Sequence, residues 1–396
     1  MNSLSDLRTS RLFQCNMTND SIYHDVAIVG GGLGGLALSI QLARIGHSVI
    51  LFEKEQYPFH KVCGEYISLE SWDFLVDLGV DLDAMKVPVI TQLEVSAPNG
   101  RSLKHPLPLG GFGISRYQLD HSLAKLAIAA GVVLRENTKV NDIVFDGDEF
   151  TIDTTGQQYR TGIACAAYGK RSNIDVKWKR TFSTAAKNKL NNYIGIKYHI
   201  RGHFPADTIA LHNFKNGYCG LVQIENGEYN LCYLTTADNL QKANGDIRLM
   251  EQTILGQNPF LKKIFEEAEF IDGSPLTISQ ISFDKKAQVE DHVLMIGDAA
   301  GMITPLCGNG MSMALHSSKL AASQIHLYLQ GNTPRAKMEK RYIFQWQKHF
   351  ARRLKMGRRI QRLFGKNWMT TLFIKLIKPF PRLVDYLIKQ THGKPF

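Results

Sequence analysis

The sequence predicts an α/β fold: a Rossmann-type dinucleotide-binding domain with an inserted, mainly antiparallel β domain and C-terminal helices. Three observations predict it. A strand, a glycine-rich turn, a helix and a second strand follow one another from Asp25 to Glu53. Between Lys189 and Ala237 the pattern is mostly β, with a hairpin turn at Glu225-Asn226-Gly227-Glu228. From Thr333 onward the chain reads as helical and very basic.

In the first unit, the apolar run Val26–Val29 has the length and composition of a buried parallel strand. Gly30, Gly32 and Gly35 give the G-x-G-x-x-G spacing, with extra glycines at Gly31 and Gly34. Gly30 permits the tight turn, Gly32 lets the backbone approach a pyrophosphate, and Gly35 lets the helix pack on the strand. The helix from about Leu33 to Ile45 ends at Gly46 and turns its N-terminus toward the phosphates. Strand Ser48–Phe52 leads to Glu53, placed to accept hydrogen bonds from a ribose diol. Val26 to Ala43 carries no charge, but its glycines fit a strand–turn–helix better than a membrane span.

Next comes a loop, Lys54–Glu65, and a helical stretch, Glu70–Leu78. Val89–Val95 and Arg101–His105 read as strands around Ala97-Pro98-Asn99-Gly100, and Gly110–Ser115 as a further short strand. A helix covers Arg116–Ala130, and strands cover Val132–Leu134, Val140–Phe145, Phe150–Thr154 and Ile163–Ala167. Asp238–Leu255 and Pro259–Glu267 are helical in pattern, Asp291–Ile296 is a strand, and a long helix runs from Asn309 to Leu329. These elements divide the chain into an N-terminal arm expected to be disordered (1–21), a dinucleotide-binding domain (22–88, 106–175, 285–332), a substrate domain (89–105, 176–284) and a basic helical region (333–396). Met17 is an alternative start.

Composition narrows the function. The net charge of +11 is concentrated in the tail: Arg335 to Phe396 holds seventeen Lys/Arg against Glu339 and Asp385, a net +15, which leaves −4 for the rest. A nucleic-acid enzyme would spread its positive charge over a groove, so no nucleic-acid partner is expected. Six cysteines without a C-x-x-C pair, and histidines without metal spacing, argue against a metal site or a dithiol centre and fit a reducing cytoplasm. The tail has apolar residues at helical spacing among its cations, with no run long enough to span a bilayer. It reads either as an interfacial helix pair on anionic lipid or as a helical cap over the substrate domain.

A second nucleotide-binding signal lies at Gly297–His316, GDAAGMITPLCGNGMSMALH. Asp298 follows a buried strand, where a carboxylate can bond cofactor hydroxyls. Pro305, Gly308 and Gly310 form a tight loop into a helix whose positive end can face an electron-rich ring.

These motifs resemble the FAD-dependent oxidoreductases of the p-hydroxybenzoate hydroxylase-like group, and within it the geranylgeranyl reductase-like branch, over roughly Ile22–Leu329. Besides the two glycine motifs, Lys61-Val62-Cys63-Gly64-Glu65 resembles the branch's C-G-E segment, and Arg116 with Asp120 its R-x-x-[LF]-D element. The resemblance implies FAD as cofactor, in the GR2-like arrangement. It implies an FAD site at Gly30, Gly32, Leu33, Gly34, Gly35, Glu53 and Lys54, at Lys61, Cys63 and Gly64, and at Arg116 and Val140. The second motif adds Gly297, Asp298, Pro305, Gly308, Asn309, Gly310 and Met311. Tyr168 stands where the family has the Asp of an Asp-Gly motif that serves both FAD and NADPH. That departure puts direct NAD(P)H use in doubt and leaves NAD(P)H or a separate reductase as electron donor. No W-x-W-x-I-P segment is present, which speaks against a halogenase.

The expected activity is a flavin monooxygenase on a hydrophobic or aromatic metabolite. The alternatives are a flavin-dependent C=C reductase on a prenyl or polyene lipid and a non-catalytic flavin- or lipid-binding protein. Cys63 and Glu65 are the candidate catalytic residues near the ring. Tyr193, Tyr198, Phe214, Tyr218, Tyr229 and Tyr233 on the inserted strands either line an apolar pocket or fill a core. The expected location is cytoplasmic, peripheral on an anionic membrane if the tail binds lipid.

Overall fold

The computed structural model describes residues 23–184, 193–271, 273–363 and 367–396. The expected N-terminal arm lies outside the described residues. In chain order the strands are β1 (Tyr23–Val29), β2 (Val49–Phe52), β3 (Tyr66–Ser68), β4 (Val89–Ser96), β5 (Ser102–Gly113) and β6 (Val133–Arg135). They continue with β7 (Val140–Asp146), β8 (Glu149–Thr154), β9 (Gln158–Ala166), β10 (Tyr193–Arg201), β11 (Thr208–Phe214) and β12 (Gly217–Gln223). The last are β13 (Tyr229–Thr236), β14 (Glu269–Phe270), β15 (Leu276–Ile281), β16 (Val289–Glu290) and β17 (Val293–Met295). The helices are α1 (Leu33–Arg44), α2 (Trp72–Asp77), α3 (Arg116–Ala129), α4 (Asn173–Lys177), α5 (Thr181–Thr184) and α6 (Ala237–Lys242). They end with α7 (Ile247–Thr253), α8 (Pro259–Glu267), α9 (Gly310–Leu329), α10 (Arg335–Leu363), α11 (Asn367–Ile377) and α12 (Pro381–Thr391).

The first sheet has the order β16-β17-β9-β1-β2-β6, with the β7–β8 hairpin joined to β9. β1 lies between β2 and β9 and is parallel to both. Val26, Ala27, Ile28 and the whole of β2 are buried, as strands covered on both faces must be. A Cβ at Gly34 would come within 3.0 Å of Ile296 Cγ2 and 3.3 Å of the Ala314 carbonyl. That absence of a side chain lets α1 lie directly against α9.

The second sheet has the order β14-β10-β13-β12-β11-β4-β5-β3, with β15 on β10. Its pairs are antiparallel except β11 with β4. Side chains alternate between its faces. Ile196, Tyr198, Ile200, Phe214, Leu221, Leu231 and Tyr233 enter one core cluster, together with residues of α7 and α8. Lys197, His199 and Cys232 alternate with them and lie on the opposite face.

The structure corrects several sequence expectations. Tyr66–Ser68 and the whole of Ser102–Gly113 belong to the second sheet, so the boundaries at 88 and 105 cut through it. Gly110–Ser115 is no separate strand: most of it continues β5. The helical stretch Asp238–Leu255 breaks at Asn244 and Gly245, both with positive φ (54° and 82°). β14 and β15, which were not anticipated from the sequence, pair with β10. Tyr198 and Tyr233 both donate to the buried Glu251, at 2.8 and 2.6 Å, on the core side of the sheet. The strand aromatics Tyr198, Phe214, Tyr229 and Tyr233 are core.

The basic tail is part of the fold. Met338, Tyr342, Trp346, Phe350 and Leu354, spaced by four on α10, are buried in the main core. Tyr342 Oη donates to the Met295 carbonyl at 2.6 Å. Ile374, Ile377 and Val384 of α11 and α12 pack with Val95, Leu103 and Leu211 of the second sheet. His105 Nε2 and Asp385 Oδ1 lie 2.8 Å apart and fasten α12 to β5. Among the described residues no helix is long and apolar enough to cross a membrane.

Candidate active site

The two glycine motifs meet beside Arg116. Gly30, at φ +107°, sits where a Cβ would lie 2.6 Å from the backbone of Ala167 and Tyr168. A Cβ at Gly35 would overlap the Gly30 carbonyl, so the helix start can close onto the turn only as glycine. Gly32 is different: the nearest atom to a Cβ there is Arg116 Nη2, at 3.7 Å. The N-terminus of α1 has no side-chain cap and no acid in its first turn. An open glycine, unclaimed N–H groups and a guanidinium thus converge on one place, the requirements of a diphosphate.

Glu53 is buried and accepts from the N–H groups of Gly31 (3.0 Å), Lys54 (2.8 Å) and Glu55 (3.2 Å). Tyr57 Oη donates to the Gly31 carbonyl, so the turn is held from both sides. Sequence reasoning did not single out Tyr57. Lys54 points to solvent and pairs with Glu55 at 3.4 Å. Leu33 is buried in the main core. Val140 is buried at the start of β7, opposite Thr154. Lys61 Nζ reaches Asp120 at 3.0 Å and lies 3.9 Å from Glu53. Arg116 is bidentate on the same Asp120, with both bonds 2.7 Å. Burial would raise the Asp120 carboxyl, but Arg116 and Lys61 outweigh it and hold Asp120 below the usual range.

At the second motif, Gly297 takes φ +61° and its N–H donates to Ser317 Oγ at 3.0 Å. Burial raises the Asp298 carboxyl against the pull of Lys286, Arg116 and Lys170, so this Asp shares the Arg116 environment. Pro305 opens the loop and Gly308 turns it at φ +63°, which brings it against the Tyr66 ring. Asn309 precedes α9 without capping it. Its Nδ2 donates to the Thr391 carbonyl at 3.0 Å, while its buried Oδ1 and Ser312 Oγ have no partner. Gly310 starts α9 and Met311 is buried behind it. An uncapped 20-residue helix with no acid in its first turn, next to orphaned buried polar atoms, fits an electron-rich ring system at its end. The residues present therefore fit FAD.

Where the family has its Asp-Gly motif, Tyr168 Oη donates to Asp175 at 2.6 Å and Arg180 joins the same carboxylate at 2.9 Å. Arg180 also bonds the Ala299 carbonyl at 3.3 Å, which ties this network to the second motif.

The Lys61–Glu65 segment meets the second sheet through a buried ionic cluster. Glu65 has φ +53° and no solvent exposure. Its Oε1 accepts from Lys197 Nζ at 2.5 Å and from the Arg116 N–H at 2.8 Å, and its Oε2 contacts His199 Nε2 at 2.8 Å. Burial pushes the Glu65 carboxyl up, but Lys197 and His199 pull harder and leave it below its usual range. Burial pushes the neighbouring Cys63 thiol up, against the pull of Arg116. Lys197 and His199, 132 and 134 residues from Glu65, carried no signal in the sequence.

Beside Gly308 opens an apolar cavity. Leu93, Val95, Leu107, Ile209 and Leu211 line it from the second sheet, Tyr66 and Leu306 from the motif side. The tail supplies the remaining wall through Phe373, Ile374, Ile377, Val384, Leu387 and Ile388, with Thr391 and His392 at one end. No sequence pattern pointed to the tail as a cavity wall.

An α/β fold with two glycine-turn helix ends and a neighbouring apolar cavity defines a flavoprotein oxidoreductase. The FAD binding domain family matches residues 23–342, and the chain belongs to that family. It is an FAD-dependent oxidoreductase. It is 27% identical over 374 residues to conditioned medium factor receptor 1 of Dictyostelium discoideum, across 86% of this chain and 70% of that one. It is 25% identical over 346 residues to digeranylgeranylglycerophospholipid reductase of Methanocaldococcus jannaschii, across 83% of each. Its fold is similar to that of a flavin-dependent brominase, with TM-score 0.74, 21% identity and 93% of each chain covered.

Proposed function

We propose that this oxidoreductase reduces carbon–carbon double bonds in a prenyl or polyene chain. The observation that carries the reading is the cavity, whose polar groups are confined to Tyr66, Thr391 and His392. Such a lining favours hydrocarbon and would leave a phenol's or an amine's polar group unpaired, at a cost of about 1–3 kcal/mol. The similarity to an archaeal protein named as a digeranylgeranylglycerophospholipid reductase supports the same reading.

The residues of the two glycine motifs would hold FAD, which when bound and reduced would supply a hydride equivalent for one alkene carbon. The second sheet and the tail hold the hydrocarbon and exclude water. Of the two candidate groups, the Cys63 thiol is the one kept protonated at neutral pH, since burial raises it. In this reading its proton would go to the other alkene carbon and be replaced from solvent once the product has left. Glu65 stays ionised and acts as a positioning residue, because its carboxylate already holds Lys197, His199 and the head of α3. The Tyr168–Asp175–Arg180 network in place of the Asp-Gly motif favours a separate reductase as electron donor. A lipid substrate also suits a cytoplasmic protein working at a membrane surface.

A second reading is oxygenation of an apolar or aromatic metabolite, favoured by the fold shared with a brominase and by the Phe373 ring in the cavity. One experiment separates the two. The reduced protein is mixed anaerobically with a polyprenyl substrate. Flavin reoxidation without oxygen, and a product that has gained two hydrogens, are expected. Stable reduced flavin under nitrogen, with oxygen consumption coupled to a hydroxylated product in air, would reject the first reading. Cys63→Ala should keep FAD and lose turnover.

A further inference from the structure

The inner faces of α11 and α12 wall the cavity, and their outer faces are apolar as well. On α11, Trp368, Leu372 and Leu376 are 68, 44 and 58% exposed. They are spaced by four residues, so they form one stripe opposite the buried Thr370, Ile374 and Ile377. The connecting Phe380 is 60% exposed, and on α12 Leu383 and Tyr386 are 44 and 50% exposed. Large apolar side chains scattered singly on a surface need no explanation, but six along two consecutive short helices and their connection form a patch.

The charges around this patch are of one sign. Lys375, Arg382 and Lys389 are exposed on the same two helices and Lys378, which also donates to the Ser102 carbonyl at 3.3 Å, on their connection; Asp385 is the one acid and is engaged by His105. An apolar stripe rimmed by Lys and Arg with an aromatic residue at each end is the composition of an interfacial helix. A protein partner would need a complementary acidic rim with an apolar centre. The leaflet of an anionic bilayer presents that combination everywhere on its surface.

We propose that the outer face of α11 and α12 docks on an anionic lipid bilayer, and that the apolar cavity is loaded from the membrane through this wall. The cavity part rests on the reading of an apolar chain as substrate; the docking part does not. The helices lie flat on the bilayer, with Trp368 and Phe380 at acyl depth and the cations at the phosphates. Ile374, Ile377 and Val384 on the reverse side keep the same helices attached to the second sheet. A chain leaving the bilayer would then cross one layer of helix to reach Gly308, without passing through water.

The test uses the full FAD-loaded chain and vesicles of phosphatidylglycerol or phosphatidylcholine. Wild type should co-sediment with the anionic vesicles, bind the neutral ones weakly, and release as salt is raised to about 1 M, where the Debye length is about 3 Å. Lys375→Glu/Lys378→Glu/Arg382→Glu should weaken binding by roughly a hundredfold. Leu372→Ser/Leu376→Ser/Phe380→Ser should also release the protein, while both variants keep FAD and their turnover of a short, water-soluble prenyl substrate. Docking is overturned if wild type stays in the supernatant with anionic vesicles at low salt, or if both variants bind as it does. It is also overturned if the patch is covered by a second copy, seen as a dimer that the serine variant dissociates. Docking with no reduction of any prenyl substrate rejects the loading route and leaves the membrane surface standing.

Discussion

Lys197→Met tests whether the cluster around Glu65 holds the two sheets together. Lys197 and Glu65 are 1 and 0% exposed, so removing the ammonium leaves a carboxylate in a site water cannot enter. Its remaining partners are His199 and the Arg116 N–H. Breaking a buried pair from one side typically costs about 3–5 kcal/mol, whereas replacing both members with apolar groups is often near neutral. The substitution should therefore cost about 3–5 kcal/mol in urea unfolding at pH 7, and Glu65→Gln/Lys197→Met should cost less than the sum of the single changes. The pH dependence has a definite sign. In wild type Glu65 titrates below its unfolded value, so its contribution is present above that value and is lost as pH falls through the folded one. Without Lys197 the burial effect gains weight, the carboxyl rises, and the variant is relieved by protonation as pH falls. The gap between wild type and variant should narrow from pH 7 to pH 5. A gap that stays constant, or a cost below about 1 kcal/mol, would refute a buried ion pair at this position.

The remaining predictions concern the cofactor and acid stability. The purified protein should be yellow, and Gly32→Val, by filling the open space beside Arg116, should abolish FAD retention as measured by absorbance after gel filtration. NADH and NADPH should reduce the flavin far more slowly than about 10 per second in anaerobic stopped-flow, because Tyr168, bonded by Asp175 and Arg180, stands in place of the Asp of the Asp-Gly motif. Burial, with His349 and Arg353 nearby, lowers His316 to about 3. The folded state thus refuses a proton that the unfolded state accepts below pH ~6.5, and stability falls with pH by up to about 1.4 kcal/mol per unit. His316→Phe should remove about 2 kcal/mol of the stability lost between pH 7 and 5, read from urea midpoints; an unchanged loss would mean that His316 is protonated in the fold.

What the sequence made legible was local. The β1–turn–α1–β2 unit was readable because its apolar run, glycine spacing and terminal acid are contiguous, and each has one physical use. The loop ahead of α9 was readable for the same reason. The cluster at Glu65 was half legible: its segment stood out, but Lys197 and His199 reach it from another sheet, and a lysine on a strand normally means solvent. The aromatic strand residues were ambiguous because an alternating strand has two apolar faces here, and only the sheet's position shows which one meets Glu251 and the helices. β5 was split in the reading because Pro106, Pro108 and Gly110 look like breaks, yet the strand continues through them. The tail was undecidable from periodicity, since α11 is apolar on both sides.

The pairing of β11 with β4 in a parallel ladder has a consequence for how the chain folds and diversifies. It joins residues 92–96 to 208–212, while β1 joins β9 across more than a hundred residues in the other sheet. Each sheet is thus threaded through the stretch of chain that builds the other. Neither can be completed by one continuous segment, so a nick or truncation between them yields two unfinished sheets and no autonomous fragment. Such non-local closure makes folding slow and cooperative. It also bars the exchange of one sheet as a module: new specificity on this scaffold must come by substitutions in the cavity wall, including the faces that α11 and α12 turn toward it.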